Sequence, residues 1–65
     1  MYYGKPLRVR LRVDLTRYHP EFQLGAEGWT APARGMWARA QDRFTTVVLE
    51  SGAWLDVLES GYEEI

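Results

Sequence analysis

Cysteine is absent, and histidine occurs once, as His19. Without cysteine the chain has no disulfide, no thiolate zinc site and no cysteine nucleophile. A lone histidine cannot build a multi-histidine metal centre. No run approaches the roughly 18 consecutive apolar residues of a membrane-spanning helix. The first residues, Met1 to Pro6, lack the apolar stretch of a signal peptide. These absences point to a cytoplasmic protein with no resident cofactor or metal and no membrane partner. Catalytic patterns are missing as well. Asp14, Glu21, Glu27, Asp42 and Asp56 show neither metal-loop nor glycosidase spacing. Gly25 and Gly28 lack the further glycine or lysine of a nucleotide-binding loop. His19 has no nucleophile near it in sequence and reads as a loop histidine bonded to the backbone. The chain is therefore expected not to be an enzyme.

Cations are missing from the C-terminal third. Residues 1–43 carry eight cations and four anions, a net +4. Residues 44–65 carry five anions and no cation, a net −5. Overall the charge is only −1.

What is present is apolar and aromatic. Hydrophobic residues make up 46% of the 65 positions and aromatics 14%, enough for one small folded domain rather than a disordered tail. From position 7 to position 13, Leu7, Val9, Leu11 and Val13 alternate with Arg8, Arg10 and Arg12. Period-2 alternation is the pattern of a strand with one buried face. Residues 14–25, with His19-Pro20 at their centre, read as a long loop. A short strand is expected at Trp29, Thr30 and Ala31, then a turn over residues 32–35. Residues 36–40 fit strand or helix by pattern; Gly35 before them and Asp42 after them favour strand. Residues 43–50 are rich in β-branched side chains. Thr45, Val47 and Leu49 share one face there, and Phe44, Thr46 and Val48 the other. Ser51-Gly52 marks a hairpin turn into a strand over residues 53–58. A short segment from Tyr62 to Ile65 closes the chain.

About five short strands with frequent turns predict an all-β domain, and a closed or nearly closed barrel would manage its edges better than an open sheet. The long loop after strand 1, the Gly25-Ala26-Glu27-Gly28-Trp29-Thr30 segment and the run from Phe44 to Leu49 resemble the SH3-like small β-barrel superfold. Similar glycine-bounded openings of the second strand occur in the KOW type and in the photosystem I subunit IV type. The resemblance spans residues 7–60 and implies a five-stranded SH3-like barrel with a long loop after strand 1. The chain departs from peptide-binding SH3 domains in two respects. Their paired tryptophans are absent, and Arg17 stands where acidic residues are expected. Polyproline recognition is accordingly not implied.

Leu7, Val9, Leu11, Val13, Val47, Leu49, Leu55 and Val57 are the expected core, and Trp54 is expected to join them. Tyr18, Trp29 and Trp37 are the candidate surface for a protein partner. Arg8, Arg10 and Arg12, about 7 Å apart on one face, form an alternative nucleic-acid track. Pairing of that face with the acidic C-terminal segment would neutralise it and account for both halves of the charge asymmetry. The sequence thus predicts a non-enzymatic interaction module, with nucleic-acid binding as the alternative.

Overall fold

Leu11 and Val9 are buried while Arg10 between them is exposed, as the alternation requires. The computed structural model describes residues 6–32, 35 and 43–65. These residues form β1 (Arg8–Leu11), β2 (Glu27–Ala31), β3 (Phe44–Leu49), β4 (Trp54–Leu58) and β5 (Tyr62–Glu64). One 3-10 turn, Glu59–Gly61, joins β4 to β5. The strand expected over residues 36–40 lies outside the described residues. Among the described residues the fifth strand is the final segment, Tyr62–Glu64.

All strand pairs are antiparallel in a single sheet of order β4-β3-β2-β1-β5. The sheet does not close: β4 and β5 lie at its opposite edges and do not pair with each other. Gly61 C=O accepts from Arg12 N–H at 2.9 Å, and Ile65 N–H donates to Arg8 C=O at 2.9 Å. The pairing capacity of β5 is therefore directed to β1 and not to the strand that precedes it in sequence. The sheet is nonetheless curled, because Tyr62 Oη on β5 lies 3.2 Å from Thr45 Oγ1 on β3.

The β3–β4 hairpin turns through Gly52, whose φ of 93° lies in the left-handed region that glycine occupies without strain. Gly28 is required for a different reason. A Cβ there would lie 2.5 Å from the Val48 carbonyl oxygen on β3, so the two strands approach closely only because the side chain is absent.

The core consists of Val9, Leu11, Phe22, Val47, Leu49 and Val57, with Leu15, Ala26, Leu55 and Tyr62 packed around it. Three expectations are corrected. Leu7 is 44% exposed and Val13 40% exposed, because the alternating stretch overruns the strand at both ends. Trp54 is 41% exposed: Leu55 and Val57 take the inward positions of β4, so Trp54 faces outward beside Val48. Its continuous apolar surroundings in sequence concealed that alternation. Phe22, fully buried, comes from the β1–β2 loop. Leu15 N–H to Phe22 C=O at 2.8 Å closes the loop on itself, and Phe22 N–H to His19 C=O at 3.0 Å sets the turn before it. Ser51 Oγ donates to Glu21 Oε1 at 2.7 Å, tying the same loop to the distant hairpin turn.

Candidate interaction groove

The β1–β2 loop, residues 12–26, folds back along the edge of the sheet. Between it and β4 lies a groove of 510 Å³. Val13, Leu15 and Tyr18 supply the loop wall. Phe44, Leu55 and Leu58 supply the strand wall, and Ser60 and Gly61 of the 3-10 turn lie at one end. Tyr18 is 66% exposed and Leu58 43% exposed, so large apolar surface remains in contact with water. The Arg17 guanidinium carbon sits 5.5 Å from the Tyr18 ring centroid and covers one face of that ring.

Asp56 brings the carboxylate of the groove lining. Both of its oxygens serve the fold. Thr46, fully buried on β3, donates its hydroxyl to Oδ1, and Gly35 N–H donates to Oδ2 at 2.8 Å. This carboxylate holds Gly35 against β4 and satisfies a buried hydroxyl. At the base of the loop, Asp14 Oδ1 accepts from Thr16 N–H at 3.0 Å. That backbone bond, aided by the Thr16 hydroxyl, holds the Asp14 carboxyl below its ordinary range. His19 Nδ1 accepts from Glu21 N–H at 3.2 Å, and its ring meets Phe22 edge-on at 5.3 Å. It is the backbone-bonded loop histidine that the sequence suggested.

The residues singled out from sequence do not form one surface. Tyr18 lines the groove. Trp29 lies on the outer face of β2, is 45% exposed, and carries the Arg8 guanidinium carbon 5.0 Å from its ring centroid. Trp37 lies outside the described residues. Phe44, Leu58 and Val13 are groove residues that sequence reasoning missed. Their signal was weak: each is an apolar residue at the end of a strand pattern, where core and rim look alike.

The arginine face is largely neutralised. Arg8 Nη2 lies 3.1 Å from Glu27 Oε1, and Arg10 Nη2 lies 2.9 Å from Glu63 Oε2. Arg10 Nε reaches the same Glu63 oxygen at 3.2 Å. Arg12, which is exposed, has no acidic partner among the described residues. A stripe of three cations is reduced to one that stands apart from an acid.

Among the described residues, no group of three or more histidine, aspartate or glutamate side chains could hold a metal ion. Among the same residues, no helix is long and apolar enough to cross a membrane. No protein-family model, no curated protein and no solved structure matches this chain.

Proposed function

We propose that this chain is a non-enzymatic, cytoplasmic interaction module with an SH3-like architecture, docking on a protein partner through the groove between the β1–β2 loop and β4. The observation that carries the reading is the groove itself. It is lined mainly by apolar side chains, and Tyr18 and Leu58 remain open to solvent at its rim. Aromatic and aliphatic anchors in a concave site are the usual source of binding energy at protein interfaces. The Asp56 carboxylate in its lining is already bonded to Thr46 and Gly35, which favours docking over chemistry. The SH3-like reading is supported by the strand order, by the long loop between β1 and β2, and by the 3-10 turn that carries the chain from β4 into β5, which pairs with β1.

The nucleic-acid alternative draws less support. Both Arg8 and Arg10 face carboxylates at hydrogen-bond distance, which lowers the local potential that a phosphate backbone would sense.

Selection of a displayed random-peptide library on the immobilised domain tests the groove reading. Apolar peptides bound by the natural chain and lost on Tyr18→Ala would support it. Peptides retained equally by the Tyr18→Ala variant would place binding elsewhere.

A further inference from the structure

The outer face of the sheet carries a second cluster that the groove does not explain. Strand register sets Arg8 directly opposite Trp29, and Arg10 directly opposite Glu27. Trp29 is in turn opposite Val48 on β3. The bond from Ile65 N–H to Arg8 C=O sets Ile65 opposite Arg8 on the far side of β1. One level of the sheet therefore reads Val48, Trp29, Arg8, Ile65 across β3, β2, β1 and the end of β5, with Trp54 of β4 beyond Val48. Solvent faces of sheets are ordinarily polar, yet Trp29 is 45% exposed and Ile65 47% exposed. The adjacent level reads Glu27, Arg10, Glu63.

We propose that this face is a self-association surface on which a second copy of the chain docks about a two-fold axis running along the strands between β1 and β2. Such an axis carries β1 of one copy onto β2 of the other, and β3 onto β5. Trp29 then meets Arg8 of the other copy, Val48 meets Ile65, and Glu27 meets Arg10. Every contact occurs twice, as an isologous interface requires.

Complementarity of charge selects a second copy as the occupant. The patch holds two guanidiniums, Arg8 and Arg10, and two carboxylates, Glu27 and Glu63, all within ion pairs of the single chain. These four charges cancel, and about the axis Glu27 is set against Arg10 of the other copy. The patch's cation–aromatic and cation–carboxylate neighbours straddle the axis, so each attraction inside one chain has a counterpart between chains. Register places the turn residue Glu50 beside Glu27, so the axis also sets Glu50 against Glu63 of the other copy, a like-charge contact at the rim that solvent screens. Aligned face-to-face packing of two sheets is a common arrangement, and exposed tryptophan with arginine is typical of interface centres.

Sedimentation equilibrium of the full chain over a range extending to millimolar protein tests the proposal. The mass should rise with concentration from 7.6 kDa toward twice that value. Trp29→Ser should hold the mass at the monomer value while the far-UV spectrum stays unchanged. Arg10→Glu and Glu27→Arg supply a sharper arm. Each alone places like charges across the axis and should associate less than the natural chain. Mixed together, they restore both charge pairs and should form a heterodimer. A natural chain that stays monomeric at millimolar concentration overturns the proposal. Undiminished association of Trp29→Ser does so too, as does a mixture of folded charge variants that associates no better than either alone. If the charge variants fail to fold, Trp29→Ser decides.

Discussion

Arg10 on β1 and Glu63 on β5 face each other across adjacent strands, with Arg10 Nη2 2.9 Å from Glu63 Oε2. The residues are 53 positions apart in sequence, and their pairing joins the basic first half to the acidic end. Both side chains are 45% exposed, so water and salt weaken the pair. Its role lies in the field it cancels more than in stability.

Replacing Glu63 by alanine should therefore alter stability by less than about 1 kcal/mol. It should raise affinity for polyanions at low salt, because Arg10 is released to join Arg12. Anisotropy of a labelled short single-stranded DNA, titrated at several salt concentrations, reads this directly. Strong binding by the natural chain, unchanged in the Glu63→Ala variant, would show that the ridge was never neutralised.

Phe22 should be the costliest position in the β1–β2 loop. It is fully buried in the core with Val9, Leu11, Val47, Leu49 and Val57. Phe22→Ala should cost about 3–5 kcal/mol and Leu11→Ala about 2–5 kcal/mol, while exposed Leu7→Ala should cost far less. In a domain whose total stability is on the order of 5 kcal/mol, the first change unfolds much of the population. Urea denaturation followed by tryptophan fluorescence ranks the variants.

Gly28→Ala should destabilise despite adding only one methyl group. The new Cβ would meet the Val48 carbonyl oxygen, part of the backbone, which cannot swing aside as a side-chain tip can. A loss of roughly 1–3 kcal/mol is expected from such overpacking. A melting temperature equal to that of the natural chain would show that β2 and β3 separate without cost.

Asp14 gives the loop an acid-sensitive contact. Its folded-state pKa lies below the ordinary aspartate value of 3.8 because the carboxylate accepts from Thr16. Lowered pKa means that folding favours the ionised form. The contribution is thus present above the unfolded-state pKa and is lost as pH falls through the folded value. Carboxyl carbon shifts should place the Asp14 midpoint below 3.8. A midpoint at or above that value would mean that the turn does not hold in solution.

The strands were legible where one face is buried and the other is wet. In β1 the alternation of Val9 and Leu11 with arginines fixes which side faces the core; in β3 the β-branched run marked the strand and the inward Val47 and Leu49, but not the burial of Thr46 on the opposite face. That one of Arg8, Arg10 and Arg12 would pair with the acidic C-terminal segment was legible from the charge segregation together with the neighbouring first and last strands that an SH3-like barrel implies; Arg10 and Glu63 form that pair. Phe22 was not, because a buried loop residue has no periodic neighbours to mark it. Trp54 misled because Ala53, Trp54 and Leu55 are all apolar, so composition hides which of them points outward. The groove was half legible: Tyr18 stood out as an aromatic in a polar loop, whereas Leu58 and Phe44 owe their position to how the strand ends meet the folded-back loop.

Affinity capture from the native cell extract, with quantitative mass spectrometry, tests the groove reading most directly. Three baits are compared: the natural chain, a Tyr18→Ala, Leu58→Asp double variant, and Trp29→Ser. Tyr18 and Leu58 are exposed, so the double variant should keep its fold. A protein recovered by the natural chain and by Trp29→Ser, but depleted at least about tenfold with the double variant, a change of about 1.4 kcal/mol, is the expected result. Recovery of the same protein at equal yield by the folded double variant would contradict docking through the groove.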